Sequence, residues 1–207
     1  MTVTTTSEGT HTEEAPAGHP TTSTGLSNEK VAMWAFLGSE CLLFGALIST
    51  YLLFRGRSTP GTITPSDVYD ILFTSVSSFV LLMSSLTMVL ALAAIQRGDH
   101  RRLRVWLLAT ALLGGTFVAG QMYEFTIFYS EGLKISTNLF GSSFFVLTGF
   151  HGAHVTIGVL MLLSLWSLSV RGKLPTHRSE TVELVGLYWH FVDVVWIVIF
   201  TLVYLIP

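Results

Sequence analysis

Five long apolar runs, separated by short polar segments, dominate the pattern of hydrophobic and polar positions along the chain. Each run is long enough to cross the hydrocarbon core of a bilayer, which takes about 20 residues in a helix. The predicted spans are residues 30–54, 69–95, 104–129, 139–170 and 182–206. Because the segments between them carry glycine, proline and charged residues, the pattern predicts an all-α integral membrane protein with five transmembrane helices.

Composition agrees with this prediction. Hydrophobic residues make up 50% of the chain and charged residues only 12%, whereas soluble domains carry roughly 25% charged residues. The net charge of −2 gives no indication of nucleic-acid binding. The only cysteine, Cys41, lies in an apolar run. A disulfide framework and a thiolate metal cluster are therefore excluded, and we expect Cys41 to be a packing residue.

Residues 1–27 differ from the rest of the chain because Thr, Ser, Gly, Pro and Glu dominate them. They have neither a cationic start nor an apolar stretch, so they do not form a signal peptide. The composition predicts a disordered tail that precedes a membrane domain at residues 28–207.

Basic residues are distributed unequally between the two sides of the predicted spans, with eight on one side and three on the other. Cytoplasmic segments of membrane proteins carry the excess of Lys and Arg. We therefore expect the N-terminus and the tail in the cytoplasm and the C-terminus outside. The inner set comprises Lys30, Arg97, Arg101, Arg102, Arg104, Arg171, Lys173 and Arg178, and the outer set comprises Arg55, Arg57 and Lys134.

Several ionisable side chains lie inside the spans, where they are costly unless they face the bundle interior and find partners. They are Glu40, Glu124, His151, His154, His190 and Asp193. The two histidines of the fourth span are three residues apart, as are the histidine and aspartate of the fifth, so each pair should face one way. Gly149 and Gly152 beside the first pair would allow close helix approach. We expect the two pairs to meet across a helix–helix seam.

Two interpretations of this seam remain open. His151, His154, His190 and Asp193 could supply four ligands to zinc or iron, as in a membrane metalloenzyme. Alternatively, they form a hydrogen-bonded polar seam that holds the helices together. The set is sparse for a membrane metal centre, so the spacing favours the polar seam.

Glu40 has no ionisable partner nearby in the sequence, and hydrocarbon favours its neutral acid form. It could be a protonated acid that hydrogen-bonds a neighbouring helix, or a group that exchanges protons or contacts a lipid headgroup. A proton-coupled transporter built around it is disfavoured by the small number of spans.

Trp189 and Trp196 lie deep in the fifth span, and we expect them to face another protein surface or a lipid tail. Small residues of the second and third spans suit close helix packing; they are Ser75, Ser77, Ser78, Ser84, Ser85, Gly114, Gly115 and Gly120.

Two long segments resemble signatures of subunit III of haem–copper oxidases. They are GSSFFVLTGFHGAHVTIG at 141–158 and LYWHFVDVVWIVIFTLVYL at 187–205. SECLLFG around Glu40, RGD at 97–99 and GQMYEF around Glu124 follow the order of that family. The resemblance covers about residues 28–207.

This resemblance implies an accessory subunit without haem or copper of its own. It would pack beside the catalytic subunit I, together with subunit II and other subunits, in a complex whose haem and copper reduce oxygen to water and which moves protons. The family binds phospholipid in a cleft between its first helices and the rest. Glu40 matches the carboxylate associated with that cleft and with the proton-uptake side. Glu124, His151, His154, His190 and Asp193 match internal polar contacts of the family.

The resemblance also implies a bacterial plasma-membrane protein that lacks the first two of the seven helices of mitochondrial-type members. The chain itself is then expected to carry no redox centre. Glutamate at position 40 favours a cytochrome c oxidase over a quinol oxidase, because the quinol type can carry aspartate there. A quinol oxidase subunit III is the near alternative, and a membrane metalloenzyme using His151, His154, His190 and Asp193 is the alternative of another class.

Overall fold

The computed structural model describes residues 27–55, 71–130, 139–175 and 179–206. Five α-helices account for nearly all of them, and each is long and apolar enough to cross a membrane. This confirms the prediction of five helical spans, and the largest displacement of a helix start is at α3, which begins at His100 rather than at residue 104. The predicted tail lies outside the described residues except for Ser27. The helices are α1 Asn28–Arg55, α2 Ile71–Gln96, α3 His100–Ser130, α4 Leu139–Val170 and α5 Ser179–Phe200, the last continuing as a π-helical turn over Thr201–Leu205.

Helices α2, α3, α4 and α5 form a closed bundle, and α1 lies on the edge of this bundle. Helix α3 packs between α2 and α4, and α5 completes the ring by packing against α2 and α4. Helix α1 packs mainly against α4 and α5. Most α1 side chains therefore face away from the bundle, and only Leu37, Phe44 and Tyr51 are buried. These three residues are spaced by seven, which places them on one narrow stripe of the helix.

The core of the bundle contains two tryptophans of α5, Trp189 and Trp196. They are 0% and 2% exposed, so the expectation that they face lipid or another protein was wrong. Each indole N–H donates to a serine of α2: Trp189 Nε1 to Ser84 Oγ at 2.9 Å and Trp196 Nε1 to Ser78 Oγ at 2.8 Å. Buried indoles need such an acceptor, and the bundle provides it internally.

Glycines on two helices make room for the Trp189 ring. A Cβ atom at Gly114 of α3 would lie 2.8 Å from Trp189 Cζ2, and one at Gly158 of α4 would lie 2.7 Å from Cε3. Real Cβ atoms essentially never approach that closely. Together with its hydrogen bond to Ser84 on α2, Trp189 of α5 therefore contacts all three other helices of the bundle.

A tight turn connects α2 to α3. Gly98 has a φ of +73°, a conformation that glycine adopts without steric cost. The amides of Gly98 and Asp99 donate back to the carbonyls of Ile95 and Ala94, both at 3.0 Å. Asp99 Oδ1 accepts the backbone N–H of Arg102 at 3.0 Å, which makes Asp99 the N-cap of α3. The turn thus fixes the positions of the arginines around it.

Polar contacts hold α1 against α5 at both ends. At one end, Ser27 Oγ donates to Glu180 Oε1, and Lys30 Nζ lies 3.0 Å from Glu183 Oε1. At the other end, the Arg55 guanidinium donates to backbone carbonyls of the π-helical turn and of Ile206. The two helices therefore run parallel. Cys41, which we expected to pack, is exposed on α1.

Candidate functional site

The ionisable side chains of the spans form separate clusters, and the first of these joins α1 to α4. His154 Nε2 lies 3.2 Å from Glu40 Oε2, and the two side chains are 13% and 14% exposed. His154 Nδ1 lies 2.7 Å from the carbonyl oxygen of Phe150. Glu40, which has no ionisable partner nearby in sequence, therefore finds one 114 residues away.

The hydrogen bonds of His154 limit where protons lie in this pair. A carbonyl oxygen only accepts, so Nδ1 must carry the proton that binds Phe150. The contact between Nε2 and Glu40 then holds one further proton. Either the neutral acid donates to Nε2, or Nε2–H donates to the carboxylate. The pair can exchange between these two forms by moving a single proton along one hydrogen bond.

Aromatic rings surround the Glu40–His154 pair. The Phe44 ring stands edge-on to His154, with centroids 5.1 Å apart, and the Tyr188 hydroxyl donates to the His154 carbonyl at 3.0 Å. Tyr188 in turn stacks with Phe36 of α1. The pair thus lies in a largely apolar interface between α1, α4 and α5, where each partner is the main polar neighbour of the other.

His151 lies in a different environment, although it is only three residues from His154. Its ring is 0% exposed. It stacks on Trp196 at 4.8 Å and stands edge-on to Phe117 at 6.0 Å. Neither ring nitrogen has a hydrogen-bond partner within the described residues. His151 is therefore an aromatic packing residue of the core, and its neighbours stabilise an uncharged ring.

A third cluster links α2 to α5 through Ser85. Ser85 Oγ donates to Asp193 Oδ2 and lies 3.0 Å from His190 Nδ1. Since that hydroxyl proton goes to the carboxylate, Nδ1 of His190 donates to the serine oxygen. Asp193 is 3% exposed, and its Oδ1 has no hydrogen-bond partner within the part of the chain that is described. His190 and Asp193 are thus neighbours, as expected, but a serine of another helix connects them.

The remaining polar groups bind α3 to its neighbours. Thr74 Oγ1 of α2 donates to Glu124 Oε1. Gln121 Nε2 donates to the Thr148 carbonyl of α4 at 2.7 Å. The Gln121 side chain lies over Gly152, where a Cβ atom would come within 2.7 Å of Oε1. Gly152 therefore allows the close approach that we expected, whereas a Cβ at Gly149 would have nothing within 4 Å.

The four residues predicted to form one polar seam, and Glu124 as a further internal polar contact, are consequently distributed over several contacts. Two residues three apart on a helix differ by about 60° in direction, which is enough to face different neighbours inside a bundle. This is why His151 and His154 separate. Within the described ranges, no three His, Cys, Asp or Glu side chains come together in a group that could hold a metal ion.

Comparisons with known proteins show the family to which the chain is similar. The family model described as cytochrome c oxidase subunit III matches residues 5–206. The quinol oxidase subunit 3 of Bacillus subtilis (strain 168) is 40% identical over 84% of this chain and 85% of its own length. The cytochrome c oxidase subunit 3 of Synechocystis sp. is 46% identical over 83% of this chain and 72% of its own. That of Bacillus sp. (strain PS3) is 36% identical over 86% of each chain.

The family match spans nearly the whole chain, and several relatives above 30% identity are covered over most of their length. Subunit III proteins of haem–copper oxidases are membrane proteins that associate with other oxidase subunits, and the five helices fit that class. The resemblance of the segments at 141–158 and 187–205 is thereby confirmed. The chain belongs to the cytochrome c oxidase subunit III family.

Proposed function

We propose that this chain is the non-catalytic subunit III of a bacterial terminal oxidase that reduces oxygen to water with electrons from cytochrome c. The family match over residues 5–206 carries the proposal. Haem and copper lie in partner subunits, and this chain stabilises the catalytic subunit I by packing beside it, with subunit II in the same complex.

The geometry of the candidate metal ligands supports an accessory role. His151 stacks on Trp196, His154 binds Glu40, and His190 and Asp193 share Ser85. Each of these residues already has a structural role in helix packing. A metalloenzyme built on the four residues would require them to leave these contacts and converge.

The chain lies in the plasma membrane with its N-terminus in the cytoplasm and its C-terminus outside. This orientation rests on the unequal distribution of basic residues. The start of α1, the α2–α3 turn and the α4–α5 connection then lie on the cytoplasmic side, together with the contacts of Lys30 with Glu183 and of Ser27 with Glu180.

The Glu40–His154 pair serves as the polar group of the α1 surface, exchanging a proton within the pair or contacting phospholipid beside it. The direct contact between the two ionisable side chains and their partial exposure inside a span support this role. The partly exposed sides of Glu40 and His154 are where lipid beside α1 would reach the pair.

A quinol oxidase is the second candidate because relatives of both kinds match at similar identity. The 40% identical relative carries the quinol name and the 46% identical relative carries the cytochrome c name. Glutamate rather than aspartate at position 40 supports the cytochrome c type.

A purification of the tagged chain in mild detergent tests the proposal. We expect haem-containing subunits to co-purify, with oxygen uptake on reduced cytochrome c exceeding uptake on a quinol. The opposite substrate preference would establish the quinol alternative. A chain that purifies without haem-containing partners, or one with stoichiometric bound zinc or iron of its own, would contradict the accessory role.

A further inference from the structure

The α2–α3 turn carries a cavity that neither the oxidase role nor the Glu40–His154 pair uses. The cavity has a volume of about 530 Å³, and its charged lining consists of Arg97, Asp99, Arg101 and Arg102. Leu90 and Val105, with the Trp106 ring, complete the lining. Three guanidinium groups thus share one opening with a purely apolar wall.

The cavity has a direction relative to the bilayer. Arg97 follows the last residue of α2, and the other two arginines lie in the first turn of α3, so the charged rim is at a membrane surface. With a rise of 1.5 Å per residue, Leu90 lies roughly 10 Å deeper along α2 than Arg97, and Val105 about 6 Å deeper along α3 than Arg101. Charge at the surface therefore gives way to apolar groups at the depth of lipid acyl chains.

The arginines retain donors for a ligand. Arg97 Nε donates to the Ala93 carbonyl at 3.1 Å, and Arg102 Nε lies 3.2 Å from Asp99 Oδ2. Each contact involves one nitrogen of a group that has five N–H donors. Asp99 is itself engaged by Arg102 and by the cap of α3, so the three cations outnumber the one carboxylate. The surroundings suit an anion with several oxygens.

We propose that this cavity binds the headgroup phosphate of one anionic phospholipid, with the glycerol and upper acyl chains along Leu90, Val105 and Trp106. Guanidinium forks match phosphate oxygens in two-point contacts, and the hydrogen-bonded Gly98 turn brings the three arginines to one opening. The inference does not depend on which side of the membrane the turn faces, because both surfaces present phospholipid phosphates. It also places this lipid at a different helix pair from Glu40.

Native mass spectrometry of the intact complex tests the site with dioleoylphosphatidylglycerol as the probe. We expect Arg101→Gln and Arg97→Gln each to weaken retention of one phosphatidylglycerol about tenfold, as the loss of a hydrogen bond to a charged group predicts. Arg171→Gln is the matched control because Arg171 is exposed at the same end of the bundle but outside the cavity. The control should retain the lipid.

Two further arms identify the ligand. Dioleoylphosphatidylcholine should not replace the anionic lipid, and soluble glycerol phosphate should fail to compete at millimolar concentration because it lacks the acyl chains. Arg101→Lys keeps the charge that membrane insertion uses and should lose only part of the affinity. An unchanged thermal midpoint and unchanged composition of the species that carries the chain show that each variant has folded.

Equal loss of lipid in Arg171→Gln would overturn the proposal, since surface charge alone would then be responsible. Full retention in Arg97→Gln and Arg101→Gln, equal binding of phosphatidylcholine, or competition by glycerol phosphate would also overturn it. The lipid count is made on whichever species carries the chain, so its result is independent of whether an oxidase co-purifies.

Discussion

Helix α1 and the four-helix bundle of α2–α5 are joined in the same subunit by different kinds of contact. Inside the bundle, Trp189 and Trp196 fill the space between helices and direct their indole N–H groups to serines. Helix α1 buries one narrow stripe and is held by Glu40, by Lys30 and by Arg55. Close packing and buried polar contacts specify the bundle, whereas one apolar stripe and partly exposed polar contacts at three levels specify the position of α1.

These two kinds of contact should tolerate substitutions differently. A filled interior has no space to absorb even a methyl group, so small changes inside the bundle should be costly. Partly exposed polar contacts are replaceable, because water, lipid headgroups or neighbouring side chains take over lost partners. The following substitutions test this contrast in order of expected effect.

Gly158→Ala should have the largest effect. The new Cβ would lie 2.7 Å from the Trp189 ring, and Gly114 blocks the opposite direction of movement. Overpacking of this kind costs about 1–3 kcal/mol, and we expect the upper end of that range. The thermal midpoint for loss of the subunit from the purified complex measures it. Gly115→Ala is the control because a Cβ there has nothing within 4 Å; equal destabilisation by both variants would contradict the packing argument.

Asp193→Ala should have the next largest effect on assembly. Ser85 would lose the carboxylate that accepts its proton, and the buried Asp193 side chain would leave a cavity, so the lost hydrogen bond and the lost packing together cost about 1–3 kcal/mol. The fraction of complex that retains the subunit in a detergent wash measures the loss. Asp193→Asn keeps an acceptor oxygen and should lose less. Normal assembly of the alanine variant would refute the role of the Ser85 cluster.

Glu40→Gln should leave the fold and the attachment of α1 nearly intact, with a change of less than about 1.5 kcal/mol, because one hydrogen bond to His154 replaces another. The glutamine amide can donate to His154 Nε2 as the neutral acid does. It cannot pass a proton, however, so oxygen uptake coupled to proton movement should change if the pair exchanges protons in function. Oxygen uptake and proton movement are measured on the purified complex in vesicles, and the subunit content of the same preparation measures attachment. Gross loss of the subunit would instead show that the carboxylate charge is structurally required.

The contact between Lys30 and Glu183 should contribute least. Its side chains are 27% and 36% exposed, and exposed ion pairs contribute about 0–1 kcal/mol. A double-substitution cycle with Lys30→Gln and Glu183→Gln measures the coupling, and the coupling should decrease at high salt. A coupling energy between Lys30 and Glu183 larger than the effect of Asp193→Ala would contradict the expectation that contacts of α1 contribute less than contacts inside the bundle.

The sequence predicted the five spans because the requirement for apolar residues across a bilayer is visible in composition alone. It did not predict that Trp189 and Trp196 face inward. A membrane helix is apolar on nearly all sides, so its pattern carries little information about which face meets other helices. The available signal in the sequence was the spacing of seven residues between the two tryptophans, which places them on one face of α5, together with the serines of α2 that can accept their N–H groups.

The sequence predicted which residues belong to the candidate site but not which of them contact each other. Glu40 and His154 were both singled out by their cost in hydrocarbon, yet nothing in their positions indicates that α1 packs on α4. Ser85 was noted only as a small packing residue, and its role as the link between His190 and Asp193 depends on how α2 and α5 are aligned. Helical spacing tells on which face of its helix a residue lies, but it does not tell which neighbouring helix that face contacts.

The space between Gly114 and Gly158 that Trp189 fills bears on the order in which the helices of the subunit assemble. Helices α2, α3 and α4 are synthesised before α5, and until α5 inserts, the space between Gly114 and Gly158 has no indole to fill it. Ser78 and Ser84 meanwhile donate their hydroxyl protons to their own helix, to the carbonyls of Thr74 and Leu81, and keep lone pairs for the two tryptophans. The acceptors for both indoles therefore lie on helices made before α5, and α5, which packs on both α2 and α4, is the helix that closes the bundle.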